Sequence, residues 1–307
     1  MRFHLDPSKP VAAAIRQEAR RESEAALAII RHPHPLSGPN VHALRKSLKR
    51  LRALMQLVES PHRGRLRKAG RRLAALRDVD VVRQTLKILA ADDAPLIAPE
   101  VVTEVDQRLQ TAHRALLADS APPQILPVIE DAVHDAAARV IRWKPEHPGL
   151  AGCAPGLASA HQRAHKALLK AAARGRVEDF HEWRKRLSVV RDQLLFVAPR
   201  GSDVYADALA LDRAVTSLGD DHNLAVLLET LTRLSAEKVL GVDLEQLSRA
   251  LARRQWQLHE EALTNAWHLC LRDSDEYARR VVDAWAKARA RHKRRLPSRA
   301  QSRSPRQ

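Results

Sequence analysis

One amphipathic segment reads VHALRKSLKRLRALMQLVE at residues 41–59, with apolar residues at three- and four-residue spacing. On a helix that advances about 100° per residue, four cations lie within about 80° of His42, and leucines occupy the opposite side. These cations are Arg45, Lys46, Lys49 and Arg52. Their like charges repel each other, and no acid interrupts the cationic side. The pattern therefore predicts a helix whose basic face, the first basic stripe, contacts an anionic partner.

A second segment repeats this pattern at residues 180–198 and reads FHEWRKRLSVVRDQLLFVA. It places three cations on the side of His181, with apolar residues opposite. The cations are Arg184, Lys185 and Arg191, and with His181 they form the second basic stripe. Ser188 stands where the first stripe has Lys49. Because a solvated helix face usually interleaves acids with its cations, two His-led stripes in one register favour a binding surface.

The repeat extends beyond these two segments and indicates an internal duplication. The halves also match at residues 73–82 (LAALRDVDVV) and 218–227 (LGDDHNLAVL). We expect two bundles of six helices at residues 8–144 and 157–292, followed by a disordered basic tail at 293–307. The predicted helices lie near 10–31, 39–60, 63–77, 79–92, 98–119 and 124–142, and near 157–174, 177–198, 203–218, 221–239, 243–271 and 274–295.

The composition is that of a helical and strongly basic protein. The 307 residues carry a formal net charge of +17, and 45% of them are hydrophobic, which excludes wholesale disorder. Nine of the cations lie in residues 287–307, which contain no acid. Two isolated cysteines exclude a disulfide framework or a zinc domain, and no apolar run is long enough to span a membrane. These features predict an all-α, cytoplasmic protein with an anionic partner.

Weaker basic clusters occur on three other predicted helices. Arg65, Lys68 and Arg72 share one face of the helix after the first stripe, opposite Leu66 and Leu73. The leading helices of the two halves contribute Arg16 and Arg20 in the first half and Arg163 and Lys166 in the second. We rank all of these below the two stripes as candidates for anion binding.

Two other groups of residues contain side chains of the types that act in catalysis or bind metal ions. Arg77, Asp78 and Asp80 match a catalytic or Mg²⁺ site, but a helix cap with an ion pair explains them more simply. His161 and His165 have metal-ligand spacing without a third ligand. The sequence contains no Walker loop, GxSxG or HExxH motif. We therefore expect no metal, no cofactor and no enzymatic activity, with cleavage of a phosphate polymer as an alternative hypothesis.

The paired motifs resemble those of the CHAD domain, the conserved histidine α-helical domain. The motif HxxRKxxKRxR begins at His42, the motif LxxLRDVDV begins at Leu73, and both recur in the second half. The resemblance covers residues 8–292 and implies a stand-alone protein without the CYTH domain that often accompanies CHAD. It implies two helical bundles related by a pseudo-two-fold axis around a basic central cavity. It also implies binding of inorganic polyphosphate and association with polyphosphate granules in bacteria.

Under this resemblance the stripes bind polyphosphate, because Arg and Lys form charge-assisted hydrogen bonds with phosphoryl oxygens. The second motif departs from the family pattern at Ser188 and His222, so we expect the first half to supply more binding energy. Protonated His42 and His181 would add donors, which predicts an affinity that rises as the pH falls through about 6.5. Nucleic acid, bound by the same basic surface and the tail, is the alternative partner. The sequence leaves the oligomeric state open.

Overall fold

The computed structural model describes residues 3–6, 8–60, 64–73, 81–89, 99–119, 122–236 and 244–295. All regular structure in these ranges is helical, which confirms the all-α prediction. The first half contains α1 (Val11–Ile30), α2 (Gly38–Leu57), α3 (Gly64–Arg72), α4 (81–89), α5 (Pro99–Asp119) and α6 (Pro122–Arg142). The second half contains a short 3₁₀-helix (Gly149–Cys153), α7 (Ala154–Arg174), α8 (Val177–Val197), α9 (Asp203–Ala236), α10 (Leu244–Cys270) and α11 (Ser274–Arg295). None of these helices combines the length and the apolar composition of a transmembrane span.

One long helix replaces two that the periodicity predicted. Helix α9 continues through Gly219, whereas the sequence predicted separate helices at 203–218 and 221–239. Leu218 and Leu224, on either side of this glycine, are both buried. Burial of one leucine contributes about 1.5–3 kcal/mol, which exceeds the cost of about 1 kcal/mol for a glycine inside a helix. Packing therefore keeps the helix continuous.

Both hydrophobic cores contain residues from both halves of the chain. The larger core includes Leu51 of α2 and Leu187 of α8. The smaller core combines Leu86 of α4 with Leu227 of α9 and Leu251 of α10. The predicted bundle boundaries therefore mark the sequence repeat, and whether they delimit folding units stays a prediction.

The helices that carry the two stripes lie next to each other, because α2 packs on both α7 and α8. Helix α7 begins so close to the end of α2 that a Cβ atom at Gly156 would lie 2.2 Å from the carbonyl oxygen of Leu57. Glycine is required for this approach. Across the same contact, Arg163 donates a 2.8 Å hydrogen bond to Oε1 of Gln56. The two halves are thus joined beside the basic stripes.

The N-terminal residues 3–6 extend from the first half onto the second. The N–H of Leu5 donates a 2.6 Å hydrogen bond to the carbonyl oxygen of Phe196, and the rings of Phe3 and Phe196 are 4.9 Å apart. The guanidinium of Arg50 lies 4.9 Å from the centre of the Phe3 ring, within cation–π distance. It also donates a 2.8 Å hydrogen bond to Glu22. Arg50 therefore stabilises the fold beside the first stripe.

The C-terminal helix α11 matches the helix predicted near residues 274–295. It ends at Arg295, so residues 293–295 of the predicted tail are helical. The remainder of that tail, 296–307, lies outside the described residues.

Candidate functional site

The first basic stripe lies on the outer face of α2. This helix begins after Ser37 and has Pro39 in its first turn, where the missing N–H of proline costs little. Leu44 and Leu51 are fully buried on the inner face, as the spacing predicted. His42, Lys46 and Lys49 are exposed, and Arg45 and Arg52 are half-buried. The helix therefore presents its cations to solvent along one side.

The second basic stripe lies on α8, with Leu187 and Leu194 buried opposite it. Lys185 is exposed, and His181, Arg184 and Arg191 are half-buried. Ser188, which corresponds to Lys49, is buried and donates a 3.0 Å hydrogen bond to the carbonyl oxygen of Lys185. The second stripe thus presents less cationic surface than the first.

The two stripes act on each other because α2 and α8 are in contact. Desolvation by the surrounding protein, followed by repulsion from Arg184 and Arg45, lowers the pKa of Lys49 to about 8. The Lys49 side chain nevertheless remains accessible to solvent. An accessible ammonium group enclosed by protein and by like charges favours the approach of an anion.

A buried carboxylate lies among these cations. Asp192 of α8 is 9% exposed, and its Oδ1 is 2.7 Å from Nε of Arg191. Burial raises the pKa of Asp192, while the charges of Arg191, Lys49 and Arg52 oppose that rise. The helical pattern of α2 contains no signal for Asp192, because this charge comes from a different helix. Sequence reasoning therefore missed it.

The arginines of the stripes differ in how far the protein already compensates their charge. Arg191 pairs with Asp192 and also donates a 2.5 Å hydrogen bond to Asp212. Arg52 lies on the other helix, and burial lowers its pKa. Its buried Nε has no protein hydrogen-bond partner among the described residues. Since an unpaired buried donor is unfavourable, Arg52 gains from an added acceptor.

The environment of His181 differs from that of an isolated histidine. Its ring lies 4.1 Å from the ring of His222, centre to centre. Burial, and then the charges of Lys185 and Arg184, lower the pKa of His181 to about 4. His181 is therefore neutral near pH 6.5 in the free protein. The pH window predicted for an unperturbed histidine does not apply to His181.

The remaining predicted residues are either exposed or engaged in structural contacts. Arg65, Lys68 and Arg72 on α3, Arg20 on α1 and Lys166 on α7 are exposed. Arg16 donates a 2.8 Å hydrogen bond to the carbonyl oxygen of Trp143, and Arg45 donates one of 2.8 Å to that of Gly70. Arg163 makes the interhelical hydrogen bond described above. Anion binding by these three arginines stays a prediction, and their contacts already explain their presence.

The two histidines of α7 have a structural explanation. His161 Nε2 lies 2.8 Å from the carbonyl oxygen of Leu269, and His165 Nδ1 lies 2.7 Å from that of Cys270. Both rings can therefore donate to carbonyl groups at the end of α10, which lack partners within their own helix.

The described residues contain no group of three or more potential His, Cys, Asp or Glu metal ligands. Outside the described residues lie Arg77, Asp78 and Asp80.

The model of the CHAD domain family matches residues 40–232, which include the stripes on α2 and α8. The chain belongs to the CHAD domain family. Among solved structures, it is similar to the crystal structure of the CHAD domain from the plant Ricinus communis, with 19% identity and a TM-score of 0.46. That match covers 92% of this chain and 94% of the plant chain, and no curated protein matches. CHAD domains are binding domains associated with polyphosphate.

Proposed function

We propose that this CHAD protein binds inorganic polyphosphate where its two basic stripes meet, and that this binding directs it to polyphosphate granules. The observation that carries the proposal is the convergence of cations from α2 and α8 at Lys49. Polyphosphate is a flexible polyanion, so one chain can contact several cations at once. Its phosphoryl oxygens accept the short charge-assisted hydrogen bonds that Arg and Lys donate. The association of the family with polyphosphate supports the same ligand.

The proposed site has Lys49, Arg52 and Arg184 at its centre. Arg52 contributes its buried Nε, which has no hydrogen-bond partner in the described part of the chain, and Lys49 contributes an accessible ammonium group. The exposed basic side chains around them are His42, Lys46 and Lys185. Helix α3 packs against α2 and adds exposed Arg65, Lys68 and Arg72. A polymer is favoured over a small anion because only a polymer reaches all of these groups.

Titration of the full chain with long-chain polyphosphate at two salt concentrations tests the proposal. Lys49→Ala combined with Arg184→Ala should weaken binding by about tenfold or more, since hydrogen bonds to charged groups contribute about 1.5–3 kcal/mol each. Binding should also weaken steeply with added salt. Arg142→Ala combined with Lys144→Ala is the matched control, because it removes two exposed cations at the end of α6. Equal losses in the two double variants would reject the site in favour of general charge attraction.

Competition with nucleic acid tests the choice of partner. Polyphosphate should displace duplex DNA and RNA at a far lower phosphate concentration, because the proposed site offers donors to phosphoryl groups and the stripes contain no Phe, Tyr or Trp side chain on which bases stack. Equal affinity for all three polymers at matched phosphate content would mean that general charge attraction dominates, and tighter binding of DNA or RNA would favour the nucleic-acid alternative.

A further inference from the structure

A second basic surface lies at the far end of α8. There, a cleft of about 1050 Å³ is bounded by the loop before α9, the first turn of α9, the side of α11 and His4. Arg184 lies thirteen residues before the end of α8 at Val197, which corresponds to about 20 Å along the helix. The cleft is therefore separate from the site proposed above, and its residues were not among the sequence candidates.

The cleft collects cations from segments that are distant in sequence. Arg200 comes from the loop before α9, and Arg279, Lys287 and Arg291 come from one side of α11. All four are exposed, and none has an ion-pair partner within 4 Å in the part of the chain that the structure describes. Arg280 also lines the cleft, but it pairs with Asp207. Without an ion pair among the described residues, these four exposed side chains can contact a bound anion.

The first turn of α9 adds a backbone contribution. Gly201 has φ 74°, a left-handed conformation that favours glycine, and Ser202 Oγ accepts a 3.2 Å hydrogen bond from the N–H of Tyr205. Asp203 and Val204, the first residues of this 34-residue helix, line the cleft. The positive end of the helix dipole therefore lies beside the four cations, and it favours negative charge.

Three carboxylates share the lining and limit its positive charge. They are Asp203, Glu276 and Asp283. Asp283 lies between Arg279 and Lys287 on α11, at a spacing of four residues from each. A carboxylate in this position repels a bound anion, so its removal should strengthen binding. A lining of mixed charge suits a small anionic group that contacts a few cations at once. It does not suit a partner with a broad, strongly negative surface.

We infer that this cleft is a second anion site that binds phosphoryl groups, supplied either by a free short-chain phosphate or by a segment of a polyphosphate chain. The inference goes beyond the proposed function and does not depend on it. Its charge comes partly from Lys287 and Arg291, which in the sequence belong to the basic, acid-free stretch at residues 287–307. In the structure these residues belong to α11 and lie beside Arg200 in one cleft.

Isothermal titration calorimetry with inorganic triphosphate and with long-chain polyphosphate tests the inference. The full chain carries Lys49→Ala and Arg184→Ala as a background, which weakens the stripe site so that the loss caused by the cleft variants can be measured against it. In this background, adding Lys287→Ala and Arg291→Ala should lower the affinity by about tenfold, because two charge-assisted contacts are lost. Asp283→Asn should raise the affinity several-fold.

Adding Arg142→Ala and Lys144→Ala to the background is the control, and it should change the affinity by less than about twofold. Binding of triphosphate would assign free short phosphates to the cleft, and binding of long chains alone would assign a polymer segment. The inference is overturned if neither anion binds, if the control pair weakens binding as much as the cleft pair, or if Asp283→Asn leaves the affinity unchanged.

Discussion

At the residue scale, Lys49 shows how two helices determine the state of one side chain. Its own helix supplies Arg45, and α8 supplies Arg184 and the opposing carboxylate Asp192. Desolvation and repulsion disfavour its charged form in the free protein, and an anion bound beside it would favour that form. We therefore expect anion binding at Lys49 to be linked to the uptake of a proton above about pH 8.

Lys49→Arg should reduce the pH dependence of polyphosphate binding in alkaline solution. The pKa of Lys49 is about 8 in the free protein, and a bound anion raises it. Below about 8 both states are protonated, whereas above it only the bound state keeps the proton, so the affinity falls as the pH rises. This fall is at most about tenfold per pH unit. Arginine stays charged throughout this range, and an equal pH slope in the variant and the wild type would contradict the assignment.

Asp192→Asn should destabilise the free protein and increase its stabilisation by polyphosphate. Asparagine preserves the shape of the side chain but leaves the cations around it uncompensated, and breaking a buried ion pair costs about 3–5 kcal/mol. The measurement is the melting temperature with and without polyphosphate. Asp212→Asn is the control, because Asp212 also pairs with Arg191 but its side chain is 47% exposed. The same polyphosphate-induced shift in Asp192→Asn as in the wild type would refute this role.

At the scale of the elements, the end of α10 depends on side chains from α7. His161 is fully buried, stacks on Tyr277 at 4.2 Å, and lies 2.8 Å from the carbonyl oxygen of Leu269. Its other ring nitrogen is 3.0 Å from Oγ of Ser274, at the start of α11. One imidazole thus links α7 to the turn between α10 and α11.

His161→Phe should lower the free energy of unfolding by about 1–3 kcal/mol, because phenylalanine fills the space but satisfies neither hydrogen bond. Burial lowers the pKa of His161 below 6.5, so the unfolded chain takes up the proton first and this histidine loses its stabilising effect as the pH falls below about 6.5. The difference in free energy of unfolding between the variant and the wild type should therefore be smaller at pH 5 than at pH 7. Urea unfolding at both pH values measures it, and a difference that grows towards pH 5 would contradict the prediction.

At the scale of the whole molecule, the two halves are joined by their cores. The smaller core places Leu86 of the first half against leucines of α9 and α10. The larger core runs through α2 and α8, which carry the basic stripes. A change in either half should therefore alter the stability of both.

Leu86→Ala should shift the unfolding of the entire chain in a single transition. Loss of a fully buried leucine costs about 2–5 kcal/mol. Four of the five tryptophans, Trp183, Trp256, Trp267 and Trp285, lie in the second half, so fluorescence follows mainly that half, while circular dichroism follows both. The two signals should move together in urea, whereas Leu169→Ala, at an exposed leucine, should change little. An unchanged fluorescence midpoint would show that the halves unfold independently.

Much of the helical architecture could be predicted from local pattern. The spacing of Leu44 and Leu51 against Lys49 correctly assigned the inner and outer faces of α2. The repeated motifs led to the CHAD family, which the family match confirms. The main difference between the predicted helices and those of the structure is the continuity of α9 through Gly219, where packing outweighs the weak helix propensity of glycine.

The charge environment of the site could not be predicted in the same way. Helical periodicity gives the angle of a residue around its own axis, but it contains no distance to another helix. The meeting of Asp192 with Lys49, and of Arg200 with the side of α11, depends on how helices from distant parts of the chain pack. The sequence alone therefore established which faces are basic and which are buried. Only the tertiary structure decided which cations are already compensated by acids and which are available to an anion, because that compensation acts through space between helices.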